Sequence, residues 1–242
     1  MRISRIYHPD TLHSDQELEL TPEASNHVAN VLRSKIGQPV VLFNGDGNEY
    51  SGEFVDVSKR KVRVQIDAKI SISVESPLPI HLGQAVSRGD RMDLVLQKSV
   101  ELGVSEITPL LTERCGVKLD EQRWQKKHAQ WQKIIIAACE QCGRNVLPIL
   151  HMPTEFQSWV NQSTQALRLT LHPRANKSFR HINVGKDGVR LLIGPEGGFS
   201  DQEIYQTEQG GFQTVQLGPR VLRTETAAIT AISALQAIYG DL

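Results

Sequence analysis

The chain has 242 residues, with 27 Lys and Arg against 27 Asp and Glu and a formal net charge of zero. Hydrophobic residues at 39% and charged residues at 22% are the balance of an ordinary globular protein and exclude a disordered or fibrous chain. No apolar run approaches the roughly 20 residues of a membrane span, and Met1-Arg2-Ile3-Ser4-Arg5 lacks the apolar core of a signal peptide.

The N-terminal region reads as a small α+β or barrel-like unit. Spacing predicts a helix over residues 21–34, with Pro22 in its first turn and Gly37 past its end. Pro39–Phe43 is an apolar strand, and Asn44-Gly45-Asp46-Gly47 is a strong turn signal. Residues 49–57 and 61–66 then alternate apolar and polar side chains, as half-buried strands do. Ser73, Ser76, Pro77 and Pro79 mark a linker over 73–79, so the chain divides into residues 1–72 and 80–242.

Beyond the linker the pattern changes. Strands are predicted over 80–86, 107–111, Leu167–Leu171, Val189–Ile193 and 212–217. Between them fall helices over 91–102, closed by Gly103, and Glu121–Cys142, closed by Gly143. Strands alternating with helices imply an α/β domain with a mainly parallel sheet. Ser200-Asp201-Gln202-Glu203 is a capping box that starts one more helix. The last helix begins near Thr224 and is almost wholly apolar, which predicts burial against the sheet or a second subunit.

Charge is unevenly spread. From Arg114 to Arg144 there are seven Lys or Arg and three acids, a local excess of four. Lys59-Arg60-Lys61 with Arg63 forms a second basic cluster. Both permit a nucleic-acid partner without demanding one. The three cysteines cannot all pair within the chain, which points to a reducing, cytoplasmic setting. Cys139-x-x-Cys142 lies inside a predicted helix and lacks the four ligands of a structural zinc site, so no metal is expected there and the thiols are read as buried and inert. Trp124 and Trp131, seven residues apart on that helix, are expected as core or dimer anchors.

Chemistry concentrates in three turns. In Leu191-Leu192-Ile193-Gly194-Pro195-Glu196-Gly197-Gly198-Phe199-Ser200 an apolar strand runs into a glycine-rich turn and a capped helix. Such a turn lets a ligand approach the main chain, although its spacing is not that of a dinucleotide fold. Leu217-Gly218-Pro219-Arg220-Val221-Leu222-Arg223-Thr224-Glu225-Thr226-Ala227 repeats the logic and adds two arginines and a carboxylate. Leu171-His172-Pro173 closes a further strand on the same carboxyl edge, where open α/β sheets bind ligands.

Together these segments resemble the C-terminal motifs of the bacterial ribosomal RNA small-subunit methyltransferase E family, a SPOUT-class group of uridine N3 methyltransferases. Also similar are Gln97-Lys98-Ser99-Val100-Glu101-Leu102-Gly103-Val104, Glu113-Arg114-Cys115 and Glu140-Gln141-Cys142-Gly143-Arg144. The first domain adds His27, Val31-Leu32-Arg33 and Gly37. The likeness spans essentially the whole chain, with Arg88 standing where many relatives carry lysine.

The resemblance implies a PUA-like β-barrel RNA-binding domain followed by a SPOUT-type α/β domain with a mainly parallel sheet and a deep trefoil knot. It also implies a homodimer, S-adenosylmethionine as methyl donor, and 16S rRNA of the small ribosomal subunit as acceptor. Carried over by motif, the donor would lie against Leu171, His172, Gly194, Glu196, Gly197, Leu217, Gly218 and Leu222. Arg223, Arg220 and Glu225 are the expected catalytic residues, the arginines because uracil N3 must lose its proton and the resulting negative charge needs a partner. Arg33, Arg88, Arg114, Lys118 and Arg144 are expected to meet RNA. His172 and Glu225 both remain open as the general base. Two other readings stay open: a ribose 2′-O-methyltransferase on the same scaffold, and a non-catalytic RNA-binding assembly factor.

Overall fold

A computed structural model describes residues 3–58, 60–172 and 175–242. Lys59 of the basic cluster, Met1-Arg2, and Pro173 of the third turn lie outside the described residues. The chain forms two compact units, one of Met1–Glu75 with Cys139–Leu147, the other of Ser76–Ala138 with Pro148–Leu242.

The first unit is a five-stranded sheet of β1 (Ser4–Tyr7), β2 (Glu17–Glu19), β3 (Pro39–Phe43), β4 (Asn48–Val57) and β5 (Val62–Ser71), ordered β1-β3-β4-β5-β2. β1 pairs with β3 in parallel and the remaining pairs are antiparallel. Alternation drives one face inward, burying Ile6, Leu42, Tyr50, Phe54, Val64 and Ile66 in a common core. The predicted β3–turn–β4 hairpin is present, with Gly45 and Gly47 at φ 91° and 83°. Tyr50 Oη donates to Asp46 Oδ2 at 2.7 Å and pins that turn.

The helix predicted over 21–34 differs in kind. Thr21 caps α1 (Pro22–Asn26), its Oγ1 accepting from the Ala24 amide at 3.2 Å. From His27–Leu32 the chain widens into a π-helix, ended by Arg33 at φ 53°. This turn keeps Val28 buried while Val31 and Leu32 face solvent. Periodicity arguments assume 3.6 residues per turn, so a π-helical stretch is invisible to them.

The second unit carries β6 (Ile80–Ala85), β7 (Glu106–Leu111), β8 (Ile149–Leu150), β9 (Thr154–Glu155), β10 (Leu167–Leu171), β11 (Val189–Ile193) and β12 (Gln213–Val215). Their order is β12-β10-β11-β6-β7-β8, β9 also pairs with β7, and every pairing is parallel. All five residues of β11 are buried, as a near-continuous apolar run in a parallel sheet should be. The helices are α2 (Asp90–Glu101), α3 (Glu121–Cys142), α4 (Phe156–Val160), α5 (Asp201–Gln209) and α6 (Thr224–Tyr239).

Trp131 is fully buried and Trp124 nearly so, with ring centroids 6.2 Å apart, so both belong to the core. Gly83 in β6 has no room for a side chain, because an added Cβ would collide with the Trp159 indole. The strand expected over 212–217 is shorter, and β8, β9 and α4 were not anticipated. No helix among the described residues is long and apolar enough to cross a membrane.

Candidate active site

The carboxyl ends of β10, β11 and β12 open into a cavity of about 620 Å³. Three turns wall it: the one after β10 at Leu171 and His172, the one after β11 from Gly194 to Phe199, and the one after β12 from Gln216 to Arg223. The first residues of α6 complete it with Thr224, Glu225 and Ala227. Every residue expected at the donor site (Leu171, His172, Gly194, Glu196, Gly197, Leu217, Gly218 and Leu222) lines this one cavity, as do Arg220, Arg223 and Glu225.

Hydrogen bonds fix the two charged turns to one another. Thr224 Oγ1 donates to the Gly194 carbonyl at 2.6 Å and accepts from Gln84 Nε2 at 3.0 Å. Gln84 is fully buried at the end of β6. It therefore ties the start of α6 to the glycine-rich turn from beneath. The capping box of α5 is formed, with Ser200 Oγ accepting from the Glu203 amide at 3.3 Å and Glu203 Oε2 accepting from the Ser200 amide at 2.9 Å. Glu203 Oε1 also accepts from the Glu113 amide at 2.8 Å, anchoring the segment after β7.

Glu196 is an ion-pair partner as well as a wall. Its Oε1 accepts from Arg91 Nη1 at 2.8 Å and from the Arg88 amide at 3.3 Å. Burial opposes its ionisation, yet its own backbone amide, Arg91 and the Arg88 amide together hold the carboxyl below the usual carboxylate range. Arg91 and Gln84 were not singled out in the sequence, and Thr224 only as the start of the last helix. Arg91 reads there as one more charge on a helix, and only the fold brings it to Glu196.

Arg220 and Arg223 are exposed at the rim, and no ion pair or hydrogen bond engages either guanidinium among the described residues. Charge without a structural partner at a cavity mouth is what an anionic ligand needs. Glu225 Oε2 is buried and lacks a hydrogen-bond partner. An orphaned buried acceptor costs about 1–3 kcal/mol unless a ligand satisfies it.

The residues expected to meet RNA divide. Arg33 is exposed in the first unit. Arg88 is exposed and donates Nε to the Gly116 carbonyl at 3.2 Å. Arg114, also exposed, donates Nη1 to the carbonyls of Gly197 at 2.9 Å and Phe199 at 3.2 Å, which braces the glycine-rich turn. Lys118 is exposed at a second cavity of about 590 Å³ lined also by Trp124 and Glu203. Arg144 differs from the other four. It is 4% exposed and its guanidinium is ion-paired with Glu75 inside the first unit.

Two family models match the sequence that builds this cavity and the unit before it. The RNA methyltransferase domain covers residues 74–236, and the RNA methyltransferase PUA domain covers residues 20–67. The fold and site therefore define an RNA methyltransferase with an N-terminal PUA-like domain. Relatives carry a more particular name. Ribosomal RNA small subunit methyltransferase E of Buchnera aphidicola (subsp. Schizaphis graminum) is 38% identical over 100% of this chain and 98% of its own. The Bacillus subtilis protein of that name is 32% identical over 89% of this chain and 88% of its own. Among solved structures, a Legionella pneumophila methyltransferase in complex with the bound cofactor SAM is 52% identical and superposes with TM-score 0.97 over 100% of both chains. The Neisseria gonorrhoeae ribosomal RNA small subunit methyltransferase E bound to S-adenosyl methionine is 36% identical, with TM-score 0.93 over 100% of both. The chain belongs to the ribosomal RNA small subunit methyltransferase E family.

Proposed function

We propose that this protein transfers a methyl group from S-adenosylmethionine to N3 of a specific uridine in 16S rRNA, within the small ribosomal subunit, as a cytoplasmic homodimer. Family membership and the relatives bound to S-adenosylmethionine support the methyltransferase activity and the donor. A trefoil-knotted backbone in the second unit is part of the same reading.

The observation that carries the site assignment is that the three turns wall one cavity of about 620 Å³, of a size that encloses a cofactor-sized molecule. Its wall is partly apolar, with Leu171, Ile193, Val215, Leu217, Leu222 and Ala227 suited to the adenosyl group. The main chain at Gly194, Gly197 and Gly218 can approach a flat base closely, and Gly218 has φ 150°. When bound, the donor supplies an electrophilic methyl group on a sulfonium.

This chain's own residues then prepare the acceptor. Arg223 and Arg220 stabilise the negative charge that uracil O2 and O4 acquire as N3 is deprotonated. Glu225 Oε2, the buried acceptor that the fold leaves unsatisfied, receives the N3 proton. His172 lines the donor end of the cavity. Arg33, Arg88, Arg114 and Lys118 hold RNA phosphates, Arg114 through guanidinium nitrogens not spent on the turn.

Primer extension across 16S rRNA from a deletion strain and its complemented parent tests the reaction. N3 methylation blocks the pairing edge, so a strong stop should be present in the complemented strain and vanish in the deletion. A stop unchanged by deletion removes the N3 assignment. A pause seen only at scarce nucleotide moves the reaction to a ribose oxygen.

A further inference from the structure

We propose that His81, Glu106 and His151 bind one divalent transition-metal ion at the amino edge of the sheet, remote along the strands from the cavity at its carboxyl edge. Among the described residues these three form a group whose donor atoms all lie within 4.8 Å of one another. They arise on three adjacent strands. His81 and Glu106 are register partners near the starts of β6 and β7, and His151 follows β8, its amide bonded to the Ile107 carbonyl at 2.9 Å. Nothing in their sequence spacing links them, since sheet order alone brings positions 81, 106 and 151 together.

The donor separations bracket those around a shared ion. Glu106 Oε2 is 2.9 Å from His151 Nε2 and 3.7 Å from His81 Nδ1. The second separation is too long for a hydrogen bond. Two donors each about 2.0–2.2 Å from a tetrahedral Zn²⁺ stand roughly 3.3–3.5 Å apart, between the two observed values. Glu106 and His151 have half-exposed side chains and can shift by the tenths of an ångström required.

His81 is fixed from its other side. Its Nε2 lies 2.8 Å from Thr108 Oγ1 and 3.4 Å from the Trp159 indole nitrogen. An ion on Nδ1 requires the tautomer in which Nε2–H donates to Thr108, at the expense of the longer indole contact. Two imidazoles and one carboxylate leave a fourth position open to water, and this N₂O set suits Zn²⁺ or Co²⁺ rather than Mg²⁺ or Ca²⁺. Arg190, over the Trp159 ring at 4.0 Å, adds positive charge in the neighbourhood. That charge and the three-residue donor set place the affinity below that of a four-ligand structural site. The ion would clasp β6, β7 and the segment after β8, a structural role.

Untagged full-length protein, stripped with chelator, is titrated with Zn²⁺ by calorimetry and with Co²⁺ by visible absorption. One equivalent per chain should bind, with the intense visible band of four-coordinate cobalt, and Zn²⁺ should displace it. His151→Ala and Glu106→Gln should each weaken binding at least about tenfold, while the exposed His13→Ala leaves it unchanged. In the unaltered protein, Zn²⁺ should protect His81 and His151 from diethyl pyrocarbonate. No saturable binding by the unaltered protein, or binding that both variants retain, overturns the proposal.

Discussion

Arg223 occupies the N-cap position of α6, yet its side chain makes no cap, so its charge is free for the cavity. Removing one preorganised group aimed at developing charge costs about 100-fold in rate. Arg223→Ala should therefore lower the single-turnover methylation rate by about that factor under saturating donor and RNA, with donor affinity little changed. Equal rates in the two proteins remove Arg223 from the reaction. Cys139 gives a separate check at the same scale. Burial pushes its thiol up to about 12, with Arg144 pulling it down and Cys142, Glu75 and Glu140 adding to the rise. Only Cys142, partly exposed, should react with a thiol reagent before denaturant is added, with Cys115 and Cys139 following on unfolding. The sign for stability is fixed by linkage. Below the ordinary value of 9.0 the thiol is protonated in both states. Above it the unfolded chain releases a proton that the fold retains, so stability falls as pH rises from about 9 towards 12. Cys139→Ala should flatten that alkaline decline in a series of urea melts.

At the level of elements, Glu203 illustrates why removing a cap and removing its partner differ. Ser200→Ala deletes one acceptor at the start of α5 and should cost about 1 kcal/mol. Glu203→Ala strips the Ser200 and Glu113 amides of their acceptors at once, and Glu203 is only 6% exposed. Two stranded donors predict a loss of about 2–4 kcal/mol, measurable as the difference between urea midpoints of the two variants. Losses of equal size would mean that the bond to Glu113 contributes nothing. The capping box itself was legible in four consecutive residues; the link to Glu113, 90 positions away, was not. The same division runs through the fold. β10, β11, α3 and α6 are long and apolar enough to be read from periodicity, whereas β8 and β9, two residues each, carry too few side chains to alternate. The cavity walls were readable because each is a local strand–turn–helix signal. Arg91, Gln84 and the unpartnered oxygen of Glu225 depend on strand order, which no local pattern encodes.

For the molecule as a whole, the consequential feature is that Cys139–Leu147 groups with the first unit although more than 60 residues of the second unit precede it in the chain. The linker signal at residues 73–79 was plain in its serines and prolines, but no composition change announces a later return. Within the first unit this segment is held by polar contacts. Arg144 pairs with Glu75, Asn145 Nδ2 donates to the Ile72 carbonyl at 2.9 Å, Arg5 Nη2 donates to Asn145 Oδ1 at 2.6 Å, and Glu140 Oε1 accepts from the Tyr7 amide at 3.0 Å. Burial pushes the Glu140 carboxyl up, and the Tyr7 amide opposes it. A fragment of residues 76–242 would lose every one of these partners while keeping the whole cavity, whose lining lies within the second unit. With the first unit absent Arg144 is returned to water, so the loss is that of these contacts, about 1 kcal/mol each. The fragment should therefore unfold at lower urea than the same residues do in the intact chain, and donor added in excess should recover part of that loss by mass action. Repeating the comparison with Glu75→Gln in the full chain isolates the Arg144 pair. That variant should show a share of the same destabilisation without loss of donor affinity at low denaturant. A fragment as stable as the intact chain would mean that Cys139–Leu147 holds its structure without the first 75 residues.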